Sequence, residues 1–185
     1  MKLSFQTLVF ILLAGLAALV AGRYMYFQPR FVQGEKAPDF QAGLMDGQAF
    51  TLSSLRGNYV LLDFWGSWCA PCRLQNAGWR AVYGQFAEKT FTDAQGFRIV
   101  SVGVERDADA WQQAIDNDGL SWNYHILDLS SNLRFFSGPI AKKYQVRQLP
   151  TAFLLSPRGA IIAVDPEPAE VAEILASKVK DNGRQ

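Results

Sequence analysis

Two cysteines constrain this chain more than any other feature: Cys69 and Cys72 are the only ones among its 185 residues. They lie in the segment Trp68-Cys69-Ala70-Pro71-Cys72, shortly after the apolar run 59–65. A strand followed by Cys-x-x-Cys at the start of a helix favours thiol–disulfide exchange, because the unpaired N–H groups there stabilise a thiolate. We therefore predict a redox-active disulfide in which Cys69 is the nucleophile and Cys72, one turn later, resolves the mixed disulfide.

Two other uses of the cysteines are weaker. A structural staple across so short a loop removes little entropy from the unfolded chain, and a domain of this size can build a core without it. Half of a zinc site is the second alternative, but the sequence offers only His125 as a nitrogen ligand and has no third cysteine. We predict no metal and no cofactor, and we interpret His125 as a structural or surface residue.

The N-terminus predicts the compartment in which the chain works. Residues 3–21 carry no charge and are long enough to cross a bilayer as a helix, so residues 1–22 are predicted to be a signal anchor. A cleaved signal peptide is the alternative, although Leu19 is a poor match to the small residue expected near a cleavage site. Either version sends the rest of the chain into an oxidising compartment. The predicted location is the bacterial inner (cytoplasmic) membrane, spanned once, with the catalytic domain on the periplasmic or extracytoplasmic side.

Strand-like and helix-like segments alternate beyond the anchor, which predicts an α/β fold. Residues 23–34 are interpreted as a tether, 35–180 as one domain and 181–185 as a tail. Strands are predicted over 40–44, 50–52, 59–65, 97–104, 122–127, 151–155 and 160–164, and helices over 70–90, 107–118, 140–144 and 168–180. The net charge of +1 predicts no nucleic-acid binding.

Asp63 interrupts the apolar strand that leads to the cysteines. A buried carboxylate costs free energy unless it has a partner or a function. We predict that Asp63 takes the proton of Cys72 through water during exchange, helped by a raised pKa. The alternative is an aspartate at the strand end that reaches solvent.

Pro150 is a second candidate for the reaction, because it directly precedes the apolar strand 151–155 and cannot donate to a sheet ladder. If its peptide bond is cis, the backbone of Leu149 turns outward and can pair with an extended substrate. A trans proline that starts the strand is the alternative. We predict that substrate is bound by Trp68, Ala70, Pro71, Leu149 and Thr151.

Residues 37–40, 52–57, 62–73 and 144–154 resemble, in the same order, blocks of the thioredoxin superfamily, in particular its membrane-anchored extracytoplasmic branch related to TlpA and ResA. The resemblance implies a thioredoxin-like fold, in which a central mixed sheet is flanked by helices, with an N-terminal hairpin extension. It implies a central insertion as well, which we place at residues 105–137. It further implies a cis peptide before Pro150, a proton relay at Asp63 and attack by Cys69.

The chain departs from this branch after the cysteines. Members often carry Glu and Pro where this sequence has Gln75 and Ala77, and in ResA-like proteins that Glu lines a cavity and tunes the thiols. Gln75 cannot titrate. The chain therefore lacks this means of tuning the thiols, which argues against a dedicated role in cytochrome c maturation.

The function predicted from these features is that of a membrane-tethered thiol–disulfide oxidoreductase. It is expected to reduce disulfides of extracytoplasmic proteins and to be re-reduced by a membrane electron donor of the DsbD or CcdA type. A peroxiredoxin-like thiol peroxidase is one alternative, although Trp68 precedes Cys69 where peroxiredoxins have a Pro and Thr array. A non-catalytic binding or chaperone module on the same fold is the other.

Overall fold

The computed structural model describes residues 4–27, 31–130 and 135–180, and the chain divides into two units, Met1–Arg30 and Phe31–Gln185. The first unit contains helix α1, Phe5–Phe27. Among the described residues it is the one helix that is long and apolar enough to cross a membrane, with a mean hydropathy of 2.2. It continues beyond residue 22, because residues 23–27 contain neither glycine nor proline to end it.

A mixed five-stranded sheet forms the centre of the second unit, in the order β5-β4-β3-β6-β7. The strands are β1 Gln41–Gly43, β2 Ala49–Thr51, β3 Tyr59–Trp65, β4 Phe97–Glu105, β5 Tyr124–Leu129, β6 Thr151–Leu155 and β7 Ile161–Val164. The helices are α2 Ala70–Phe86, α3 Ala108–Asp118, α4 Pro139–Lys143 and α5 Pro168–Ala176. Strands β3, β4 and β5 are parallel, and β6 and β7 join them as antiparallel neighbours. The predicted mixed α/β sheet is confirmed.

The predicted extension and insertion are both present. Strands β1 and β2 form a separate antiparallel hairpin before the main sheet. Helix α3 and strand β5 lie within residues 105–137, where the insertion was expected, and β5 becomes an edge strand of the main sheet. Gly119 ends α3 in the left-handed conformation, with φ of 63°, as glycine does after a helix.

Side chains from the two faces of the sheet enter two different apolar cores. Alternate residues of a strand point to opposite faces. Leu61 and Trp65 of β3 join the core formed with α2, α3 and α5, whereas Leu62 and Phe64 join the core formed with α4 and the hairpin. By this alternation Asp63 lies on the face of Leu61 and Trp65, the same face that holds the two cysteines.

Helices α2 and α5 end earlier than predicted, at Phe86 and Ala176 instead of residues 90 and 180. The segments that follow them pair with each other in extended conformation: Thr92 donates its N–H to the carbonyl of Lys178, and Lys180 donates to Thr90. These bonds satisfy backbone groups that a longer helix would have paired internally.

The compact unit starts at Phe31, before the predicted domain boundary at residue 35. The ring of Phe31 lies 5.8 Å from that of Tyr144 and 6.1 Å from that of Phe153, and Gly34 donates its N–H to Ile161. Residues 31–34, assigned to the tether, therefore pack on the domain because the half-buried ring of Phe31 contacts its core. The predicted tail, 181–185, lies outside the described residues.

Candidate active site

The two cysteines form a disulfide at the start of α2. Cys69 is the residue that caps the helix, and its sulfur accepts the N–H of Cys72 at 3.3 Å. Pro71 occupies the first turn, where a helix does not need its N–H. Cys69 is 5% exposed and Cys72 is 1% exposed. Both cysteines are therefore buried, and the sulfur of Cys69 lies beside a helix-start amide that can stabilise its thiolate.

A tight turn carries Cys69. The N–H of Cys69 donates to the carbonyl of Gly66 at 3.0 Å, so Ser67 and Trp68 are the central residues of the turn. The indole N–H of Trp68 donates to the carbonyl of Val104 at 3.0 Å, which lays the ring across Gly66. Any side chain at Gly66 would meet that ring, because a Cβ there would lie 2.7 Å from the indole nitrogen. Trp68 remains 45% exposed beside the disulfide.

Charged side chains that sequence reasoning missed hold this turn. Glu105, at the end of β4, accepts the backbone N–H and the hydroxyl of Ser67. Arg73 donates to the carbonyl of Ser67 at 3.3 Å and forms a bidentate ion pair with Asp118 of α3. Asn76 also donates to Asp118, at 2.7 Å. The sequence signal that singled out Asp63 also applies to Glu105, because Glu105 is an acidic residue directly after the predicted strand 97–104.

Asp63 is buried, with 1% of its surface exposed, so the alternative of a solvent-reaching aspartate is excluded. It pairs with Ser101 of β4 and Ala152 of β6 in the middle of the sheet. Neither carboxyl oxygen accepts a hydrogen bond from the residues that the structure describes. Burial raises the pKa of Asp63 to about 7, and the nearby indole N–H of Trp79, although outside hydrogen-bond geometry, opposes this shift. Asp63 can therefore exist with or without its proton near neutral pH.

The peptide bond between Leu149 and Pro150 is cis, in agreement with the resemblance. Thr151 follows as the first residue of β6 and pairs with Phe64 of β3. Its side chain is turned inward: only 5% is exposed, and its hydroxyl donates to the carbonyl of Gln148 at 3.1 Å. Thr151 therefore offers a substrate little surface, because it already belongs to the centre of the sheet.

An open groove of about 430 Å³ lies beside the disulfide. It is lined by Pro71, Leu74, Gln75, Gly78, Pro150, Glu167 and Pro168. Leu74 is 81% exposed at its edge. Of the predicted substrate-binding set, Pro71 lines the groove, Ala70 is exposed, and Leu149 is half-buried. Gln75 also lines this groove. It is the position at which the sequence differs from ResA-like proteins, which often have Glu there.

His125 lies away from the disulfide, within the sheet. It is 2% exposed, its Nε2 is 3.2 Å from the carbonyl of Leu120, and its ring stacks on Trp122 at 5.6 Å. Burial lowers the pKa of His125 to about 4, so the ring is neutral at pH 7. Within residues 4–27, 31–130 and 135–180, no group of three or more His, Cys, Asp or Glu residues is arranged to hold a metal ion.

A disulfide at the start of the helix that follows the central strand of this mixed sheet defines the class of thioredoxin-like thiol–disulfide oxidoreductases. Comparison with known proteins agrees. Residues 33–164 match the model of the AhpC/TSA family, and the chain belongs to that family.

Similar proteins carry matching descriptions. The thiol-disulfide oxidoreductase ResA of Halalkalibacterium halodurans is 30% identical over 131 residues, which are 71% of this chain and 66% of that protein. A solved thiol-disulfide oxidoreductase from Bacteroides fragilis is 31% identical, with a TM-score of 0.66, over 77% of this chain and 98% of that one. The thioredoxin domain of a thiol-disulfide oxidoreductase from Bacteroides vulgatus is 26% identical, with a TM-score of 0.67, over 80% and 97%.

Proposed function

We propose that this chain is a membrane-tethered enzyme that reduces disulfide bonds of extracytoplasmic proteins. The observation that carries the proposal is the Cys69–Cys72 disulfide at the first turn of α2, beside the half-exposed Trp68 and an open groove that Pro71 lines. A structural staple across so short a loop removes little entropy from the unfolded chain, whereas a Cys-x-x-Cys pair at a helix start is suited to thiol–disulfide exchange.

The reaction starts from the reduced dithiol. The thiolate of Cys69 attacks one sulfur of a substrate disulfide, a mixed disulfide forms, and the other substrate sulfur leaves as a thiolate. Cys72 then loses its proton and attacks the sulfur of Cys69, which releases the second substrate sulfur. Two electrons have passed to the substrate, whose thiolates take up protons, and the Cys69–Cys72 disulfide remains.

Asp63 is the proposed acceptor of the Cys72 proton, through water. Both groups belong to the face of the sheet that α2 covers. A carboxyl with a pKa of about 7 accepts a proton and returns it to solvent at little cost near neutral pH. With a pKa of about 7, the neutral and ionised forms of Asp63 are close in free energy near neutral pH.

Substrate recognition is proposed at the exposed surface around the disulfide. Trp68 and Leu74 expose apolar area on either side of the cysteines, and the groove along α2 extends from there. Apolar surface next to a reactive centre fits an unfolded or extended protein segment better than a small hydrophilic molecule. Apocytochromes c, whose Cys-x-x-Cys-His motif carries a reducible pair, are one candidate substrate class.

The oxidised enzyme must be reduced again by a dithiol donor. In an oxidising compartment that donor has to draw electrons across the membrane, which is why a carrier of the DsbD or CcdA type is the proposed partner. Helix α1 supports a location at the same membrane, since it is long and apolar enough to span it once. The proposed location is the bacterial inner membrane, with the domain on the extracytoplasmic side.

The reduction potential of the Cys69–Cys72 pair tests the direction of the reaction. The full chain in detergent would be equilibrated with glutathione or dithiothreitol buffers, and its tryptophan fluorescence would report the redox state. A potential near or below roughly −230 mV supports a reductant, and one near roughly −120 mV makes the protein an oxidant and contradicts the proposal.

A Cys69→Ser variant separates the alternatives. It should lose reduction of protein disulfides, whereas a non-catalytic binding module would retain its cellular role without that sulfur. Rapid turnover of hydrogen peroxide by the wild-type chain would instead support the peroxidase alternative.

A further inference from the structure

Ser67 is held on three of its polar groups by two charged side chains. Glu105 accepts both the backbone N–H and the hydroxyl of Ser67, the latter at 3.1 Å. Arg73 donates to the carbonyl of Ser67 at 3.3 Å and is itself fixed by Asp118. A residue two positions before the proposed nucleophile is thereby attached to both β4 and α2.

The position of Glu105 is costly in itself. The residue is 1% exposed at the end of a strand in which every residue except Arg98 is buried. Burial raises the pKa of Glu105, and its two hydrogen bonds with Ser67 oppose that shift. A neutral residue here would avoid the cost of burying a carboxylate. The proposed thiol–disulfide exchange uses neither the proton nor the charge of Glu105. We therefore look for its role in its hydrogen bonds with Ser67.

What Glu105 holds is the turn that carries Cys69. Ser67 and Trp68 are the two central residues of that turn, and each is bonded to the end of β4, Ser67 to Glu105 and Trp68 to the carbonyl of Val104. The turn closes through the N–H of Cys69. Releasing Ser67 from Glu105 would remove one of these two attachments to β4 and leave the bond from Arg73 to the Ser67 carbonyl, so the turn that positions the sulfur of Cys69 would be held less firmly.

We propose that Glu105 is a positioning residue: through Ser67 it fixes the turn before α2 and so sets the reactivity of the Cys69 thiolate. This inference rests on the proposed thiol–disulfide exchange, in which Cys69 is the attacking group. Positioning errors of this kind reduce reactivity strongly, because a nucleophile must approach its target along a defined direction.

Three variants of the full chain in detergent test the proposal. Glu105→Gln keeps the shape and an acceptor for the Ser67 N–H while it removes the charge. Glu105→Ala removes both hydrogen bonds, and Ser67→Ala removes only the hydroxyl bond. Asp109→Asn, which removes one exposed negative charge from α3, is the matched control.

The primary measurement is the rate at which iodoacetamide alkylates Cys69 in the reduced protein, with the modified cysteine identified by mass spectrometry. We expect Glu105→Ala to react at least about tenfold more slowly and Ser67→Ala to be intermediate. Glu105→Gln and Asp109→Asn should stay within about threefold of the wild type. The reduction potential should shift in Glu105→Ala and remain close to the wild-type value in Glu105→Gln.

A wild-type alkylation rate in Glu105→Ala overturns the proposal. Equal slowing in Glu105→Gln and Glu105→Ala also overturns it, since the charge and not the position would then be what matters. If Glu105→Ala does not fold, Ser67→Ala decides: slowing by at least about threefold supports the proposal, and a wild-type rate refutes it. Alkylation is read from the thiol itself, so failure of the wild type to reduce protein disulfides would be a separate result.

Discussion

Replacing Asp63 by Asn tests the central electrostatic argument about this protein. The carboxyl is buried without a hydrogen bond among the described residues, and its pKa is raised from 3.8 to about 7. One pKa unit corresponds to about 1.4 kcal/mol, so ionised Asp63 destabilises the folded state by about 4 kcal/mol relative to an unburied aspartate. Asparagine has nearly the same shape and does not titrate, so the variant lacks this pH-dependent destabilisation of the folded state.

The sign follows from the direction of the shift. A folded pKa above the unfolded one means that the folded state binds the proton more tightly. The contribution of Asp63 to stability is therefore fully present below about pH 4 and is lost as pH rises towards 7. About 3 of the 4 kcal/mol fall between pH 5 and pH 8. The Asp63→Asn variant should gain that amount over the wild type across this interval.

Urea unfolding of the oxidised full chain in detergent, at pH 5 and at pH 8, measures the effect. The sequence contains five tryptophans, all between residues 65 and 122, so their fluorescence reports on the compact unit and not on α1. An Asp109→Asn variant controls for loss of an exposed carboxylate. If the stability difference between Asp63→Asn and wild type is the same at both pH values, burial does not raise the pKa of Asp63 and the proton relay loses its basis.

Three further predictions concern the core and the groove. His125→Gln should remove about 2 kcal/mol of acid destabilisation between pH 7 and 4.5, because a pKa lowered from 6.5 to about 4 costs the wild type stability as pH falls through this range. Urea unfolding at the two pH values checks this, and an equal change in unfolding free energy in variant and wild type contradicts it. Gly78→Ala should lower the free energy of unfolding by about 1–3 kcal/mol, because the new Cβ would lie 2.6 Å from the ring of Pro168. Gly84→Ala, on the same helix, has open space around the new Cβ and should be neutral or stabilising, and thermal melts of the two variants check the difference. Gln75→Glu should raise the pKa of the Cys69 thiol, because it places a carboxylate in the groove. Thiolate absorbance against pH measures this pKa, and equal values in variant and wild type would show that position 75 does not tune the thiols.

Local features of the sequence determined the elements nearest the site. Strands β3 and β6 have the predicted bounds. A nearly continuous apolar run between turn residues is typical of a strand that is covered on both faces of a sheet. The Cys-x-x-Cys with Pro71 in the first turn predicted the start of α2, and α3 ends at residue 118 as predicted, directly before Gly119. Each of these signals is carried by neighbouring residues, so no knowledge of distant contacts was needed.

Contacts between distant residues decided the rest. The ends of α2 and α5 depend on backbone pairing between residues 90–92 and 178–180, and the packing of Phe31 depends on rings more than 100 positions away. The attachment of Ser67 to Glu105 joins two strand ends that only the parallel sheet brings together. Sequence alone determined the reactive chemistry and the type of sheet, because both follow from local pattern. Only the tertiary structure decided which buried charges hold the reactive turn, because hydrogen-bond partners are chosen by proximity in the folded chain.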